Sequence, residues 1–196
     1  MKKKTFGILS AIVLGALALP APPQLIAQSN TATSESDTAG SPAQVVDQLL
    51  SMVEGEMVPL AEAMPADKYN FAPTNGNFQG VRTFAEQVKH VTRANYGMFG
   101  AASSMQPTGM PKMDSLKTKE QIVQALKDSF AFAHRATATL DQQNALEEVK
   151  PVDGVKTRAG IMLFAIVHMN DHFGQMVEYV RMNGIIPPSS MPAPKN

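Results

Sequence analysis

Cysteine is missing from all 196 residues. Its absence excludes disulfides, thiolate-zinc sites and a thiol nucleophile, and it leaves no cysteine after the apolar N-terminal stretch to carry a lipoprotein anchor. A surplus of one charge is missing as well, because 17 Lys and Arg balance 17 Asp and Glu. Phosphate-backbone binding needs a local excess of Lys and Arg, so no nucleic-acid partner is expected. Strand alternation of useful length is lacking, as are an internal repeat and the G-x-S-x-G turn of serine hydrolases. These absences leave a helical chain of single-domain length.

The first segment to be set aside is "MKKKTFGILSAIVLGALALPAPPQLIAQSN". Three lysines precede an apolar stretch over residues 6–19 that is too short for a stable membrane span. Residues 1–27 therefore read as a signal peptide. Cleavage is placed near Ala27, with Leu25 two positions earlier, because Pro22 disfavours a cut after Ala21. An uncleaved N-terminal anchor is the alternative. In either case the remainder is expected to be exported, periplasmic or secreted, with no membrane span in the mature chain. Losing Lys2, Lys3 and Lys4 leaves 14 basic residues against 17 acidic, a net charge of −3. Residues 28–40, "QSNTATSESDTAG", are small and polar, cannot bury apolar surface, and read as a disordered, flexible linker.

The domain spans residues 41–188, with 189–196 as a C-terminal tail. Ser41-Pro42 is an N-cap residue followed by proline at the first helical position. Val45, Val46, Leu49, Leu50, Val53, Met57 and Leu60 then recur at helical spacing, predicting a helix to about residue 64, with a kink expected at Pro59. A loop rich in Pro and Gly over 65–80 leads to a second helix over about 81–101, striped by Phe84, Val88, Val91, Asn95 and Met98. The third helix starts near Thr118, where Gln121 three residues on completes a capping-box pattern. It runs to about Leu140 through Ile122, Leu126, Phe130, Ala133 and Thr137. The fourth begins at Thr157 or Arg158 and stops at Gly184, before Pro187 and Pro188. The fold class is therefore all-α, a four-helix bundle.

Four histidines are candidates for chemistry: His90, His134, His168 and His172. On a helix, residues 168 and 172 lie about 40° apart around the axis and one turn apart along it. Both continue the stripe Ile161, Phe164, Ala165, Gln175, Met176 and Tyr179, so two imidazoles replace apolar groups on the core-facing side. Neutral imidazoles at this spacing can converge on one divalent cation. His90, at the edge of the second helix's stripe, supplies a third ligand. Three His ligands leave one coordination position open for water or substrate. Spacing alone also allows satisfied core histidines, and His134 reads as a pocket or surface residue. Two other templates fail: Met169 follows the first His where a zincin needs Glu, and Gln87 and Ala165 stand where a di-iron bundle needs Glu. The many methionines read as core filler.

Two stretches carry a family resemblance. "MPADKYNFAPTNGNFQGVRTFAEQVKHVTRANYGMF" has a Pro- and Gly-bearing turn before a helix with a central His. "TRAGIMLFAIVHMNDHFGQMVEYVRMNGIIPP" has a Thr-Arg start, H-x-x-x-H-x-G-Q, and a Gly-Ile-x-Pro-Pro arm. Together they resemble the DinB-like (DNA-damage-inducible) family of four-helix bundles over about residues 42–188. The resemblance implies a divalent metal held by three histidines, matching His90, His168 and His172, with Zn, Ni, Fe or Mn as the ion. It also implies a metal-dependent transferase or hydrolase acting on a small-molecule substrate, because related members transfer small thiols such as mycothiol or bacillithiol. Dimers are common in the family, which leaves a homodimer open. Export sets this chain apart: low-molecular-weight thiols are kept reduced inside cells, which argues against a thiol substrate here. No general base stands out, since Asp171 points about 100° away from His172 and Glu86 lies one turn before His90. A non-catalytic metal-binding or structural bundle remains the alternative.

Overall fold

The computed structural model describes residues 40–192. The expected signal peptide, nearly all of the linker and the last four residues of the tail lie outside them. The described chain is built on four helices: α1 Pro42–Ala63, α2 Phe84–Ser103, α3 Lys119–Thr137 and α4 Arg158–Met182. Each begins behind a hydroxyl cap. Ser41, Thr83, Thr118 and Thr157 accept hydrogen bonds from the backbone N–H three residues on, at 3.2–3.3 Å. At the first three, Gln44, Glu86 or Gln121 returns the bond to the cap's own N–H, completing a capping box.

Thr83 corrects the expected start of the second helix. Val81, which looked like its first apolar residue, is exposed and precedes the cap. α1 continues through Pro59 to Ala63. Val45 and Leu49, assigned to its buried stripe, are exposed, whereas Val46, Leu50, Val53, Met57 and Leu60 are buried. α4 ends where expected, with Gly184 at φ 75° and the Ile185 N–H reaching back to the Val180 carbonyl at 3.0 Å.

α2 packs on α3 and α4, and α1 packs on the same two helices. The order around the bundle is therefore α1, α3, α2, α4, with α1 and α2 on one diagonal. Leu50, Met57, Leu60, Phe84, Val88, Leu126, Phe130, Ile161, Met162 and Met169 form a core with no exposed surface. The loop between α1 and α2 folds back over this core. Tyr69 donates its hydroxyl to the Ala61 carbonyl at 2.6 Å and meets Phe84 edge-on. Tyr179 of α4 donates to the Arg82 carbonyl at 3.0 Å, pinning the chain just before α2.

One element departs from the all-helical expectation. β1 Glu148–Val152 and β2 Val155–Thr157 form an antiparallel hairpin before α4. Asp153 and Gly154 turn it, with φ values of 47° and 84° that match a type I′ turn. Val149, Val152 and Val155 lean on the core. Arg158, the first residue of α4, holds Glu147 at 2.9 Å and the Ala102 carbonyl at 3.2 Å, tying the hairpin's base to the end of α2.

The core predicts its own weak points. Phe130→Ala opens a cavity at the centre of α3 and is expected to cost about 3–5 kcal/mol, read as a lowered midpoint in urea unfolding with an unchanged slope.

Candidate metal centre

α2 carries His90 in its first half, and α4 carries His168 and His172 in its middle. Packing of these two helices brings the three rings together. The Nε2 atoms of His90 and His168 lie 3.0 Å apart, and those of His172 and His168 lie 3.1 Å apart. All three ligand atoms fall within 4.8 Å of one another. His172 is buried, and His90 and His168 are half-buried.

Protons alone serve this arrangement poorly. Each Nε2 offers either one N–H or one in-plane lone pair. His168 Nε2 faces two nitrogens, so only one of its contacts can be a well-aligned hydrogen bond. Three lone pairs directed at one cation remove the conflict. Two nitrogens about 2.1 Å from one ion stand about 3.0 Å apart at a right angle and about 3.4 Å apart at the tetrahedral angle. The observed separations fall inside that interval. The donor set fits a divalent transition metal.

Electrostatics keep these rings neutral and ready to ligate. Burial, reinforced by the Arg82 guanidinium and the neighbouring rings, pushes His90 down to about 4. Burial and His168 push His172 down to about 4, and burial also lowers His168. If Nε2 is the ligand atom, Nδ1 carries the proton. The three Nδ1 atoms are buried and have no hydrogen-bond partner among the described residues. No carboxylate among the described residues therefore orients the rings through Nδ1. The two carboxylates closest to the histidines in sequence are engaged elsewhere: Glu86 caps α2 through the Thr83 N–H at 2.7 Å, and Asp171 accepts from Gln175 at 3.0 Å.

One polar link escaped the sequence reading. Gln87 and Gln175 sit three residues before His90 and three after His172, and Gln87 Nε2 donates to Gln175 Oε1 at 2.8 Å. This amide bridge ties α2 to α4 beside the histidines. The H-x-x-x-H-x-G-Q stretch contained half of it, but the partner on another helix gave no local signal.

The sequence profile of the DinB superfamily matches residues 49–176, including all three histidines. The chain belongs to the DinB superfamily. A comparison with curated proteins finds no match. In this DinB-superfamily bundle the fourth histidine stands apart. His134 on α3 contacts Asp47 at 2.6 Å and Glu54 at 2.9 Å, both on α1. Burial lowers its pKa, but the bonds to the two carboxylates outweigh burial and the net shift is upward. It clamps two helices and is not part of the triad.

The two kinds of histidine predict opposite pH responses. His134 stabilises the fold fully below the unfolded value of 6.5, and that contribution is lost as pH rises through its raised folded value. His134→Gln should therefore shift the urea midpoint more at pH 6 than at pH 9. In metal-stripped protein the buried triad acts the other way. The unfolded chain takes up protons first, so stability falls as pH drops from 6.5 towards about 4. A chelator-treated sample whose melting temperature stays flat across that window, with His134 replaced, contradicts this assignment.

Proposed function

We propose that this DinB-superfamily chain is an exported metal-dependent enzyme, a hydrolase or transferase, with one divalent ion held by Nε2 of His90, His168 and His172. The observation that carries the reading is the gathering of three imidazole nitrogens from two helices within 4.8 Å of one another. A divalent ion with three protein ligands keeps a position for water or substrate, and it supplies Lewis acidity that activates a bound water or polarises a substrate oxygen. The chain's own part is to present three lone pairs at neutral pH, which burial ensures by holding the rings unprotonated. Helical backbones fix the ring positions, and the Gln87–Gln175 bridge resists sliding of α2 past α4. Export follows from the N-terminal lysines and apolar stretch, and it favours a substrate other than a reduced thiol. No helix among the described residues is long and apolar enough to cross a membrane.

A second reading has one observation in its favour. Among the described residues the metal-competent cluster consists of histidines alone, with no carboxylate in it to act as a base. The ion would then staple α2 to α4, and binding would act as folding free energy.

One set of measurements separates the two. The full chain is purified, its metal content determined, and a panel of ester, amide, phosphoester and transferase substrates assayed beside His168→Ala. One equivalent of metal is expected in wild type and none in the variant. With metal at a thousandfold excess over Kd, wild type should gain about 4 kcal/mol of stability that the variant lacks. Turnover that vanishes in the variant supports the enzyme, whereas stabilisation without turnover supports the staple. No uptake of Zn, Ni, Fe or Mn by wild type overturns both.

A further inference from the structure

A cleft of about 380 Å³ opens beside the triad, and His90 belongs to its wall. Three cations line it: Arg82, Lys89 and Arg93. Glu86, Lys89 and Arg93 follow one another at helical spacing along one side of α2, and Arg82 joins them in the cleft wall from just before the Thr83 cap. The opposing charges are Glu86 and Asp114. Glu86 already accepts the Thr83 N–H at 2.7 Å, so its carboxylate is partly occupied at the start of the helix.

The cations are not neutralised by one another's neighbours. Among the described residues no ion pair involves Arg82, Lys89 or Arg93. Lys89 gives one proton to the Leu116 carbonyl at 2.6 Å and keeps two more. Neither guanidinium has a side-chain hydrogen bond there, so each retains a five-donor fork suited to a carboxylate or phosphate. Arg82 is also held in place. Tyr179 fixes its carbonyl, and the capping box at Thr83 fixes the next residue. Its side chain shares the cleft wall with His90.

We propose that the cleft is an oxyanion-binding subsite, and that the substrate of the neighbouring histidine centre is a small organic anion whose carboxylate or phosphate is gripped by Arg82 and Arg93, with Lys89 between them. The proposal deepens the enzymatic reading and rests on it for the chemistry; binding of the anion itself does not require the metal. Two guanidiniums with free forks explain the lining better than general solubility, because they share one concavity with a candidate ligand residue instead of being spread over the surface.

The test is calorimetric titration of the metal-free and the Co(II)-loaded full chain with succinate, inorganic phosphate and acetate, and with the neutral analogues succinamide and acetamide. The Co(II) absorption spectrum is followed in the same samples. Anions should bind both forms, and the neutral analogues should not. Arg82→Gln and Arg93→Gln should each weaken anion binding roughly tenfold or more, while Co(II) content and helical circular dichroism stay at wild-type levels. Both side chains are exposed, so loss of either leaves the core untouched. Succinate against phosphate tells which oxyanion the cleft prefers. Anion affinity unchanged in both variants would place the anion on the metal or elsewhere and overturn the subsite. Equal binding of the neutral analogues, or no binding of any anion to wild type, would also overturn it. Failure of the chain to take up Co(II) would instead count against the metal centre, with the metal-free titration still deciding the cleft.

Discussion

His168 Nε2 lies within hydrogen-bonding distance of the Nε2 atoms of both His90 and His172, one nitrogen cannot satisfy both contacts, and the rest of the site depends on that mismatch. The close approach is produced by helix register. A slip of one residue turns a side chain by about 100° around its helix, which would carry His90 off the interface or separate His168 and His172 from it. The phase of α2 is set by the capping box at Thr83 and Glu86, and that of α4 by the Thr157 cap and the Arg158 contacts to Glu147 and Ala102. Capping is usually treated as a matter of helix stability. Here it also decides where three imidazoles point.

Burial then decides what those imidazoles are. His134 and the triad are the same residue type in the same bundle, yet their pKa values move in opposite directions. His134 has two carboxylates within reach, and they favour its charged form. In the triad burial is the largest influence, and with the Arg82 guanidinium it outweighs the Asp171 carboxylate, which favours charge on His168 and His172. One environment favours the charged form in a clamp between α1 and α3; the other favours a neutral donor set. The distinction comes from packing partners distant in the chain, not from the histidines.

Much of the architecture could be read along the chain because its signals are local. Leu126, Phe130 and Ala133 sit on one face by simple periodicity, and the pair His168 and His172 declares itself by spacing. Gly184 before two prolines marks a helix end. Other features were hidden for identifiable reasons. The cap at Thr83 was masked by Val81, an apolar residue in phase with the stripe but lying in the approach to α2. Val45 and Leu49 lead into Val53 at four-residue spacing, and periodicity cannot say which edge of a wide stripe faces solvent. The hairpin strands are short and interrupted by Pro151, leaving only Asp153-Gly154 as a turn signal. The partners of His134, the Gln87–Gln175 bridge and the gathering of Arg82 and Arg93 beside His90 join residues that no local pattern links. Placing His90 with the α4 pair needed helix packing, which spacing along one helix does not contain.

The three clustered histidines come from helix interiors, while part of the neighbouring cleft comes from the segment around Gly80 and the turn around Asp114. Loop segments accept insertions and exchanges that helix interiors do not. A lineage can therefore remodel the vestibule, one side chain or one insertion at a time, and never disturb the inner donor atoms. The rim and the three imidazoles thus stand on separate stretches of backbone and can vary independently.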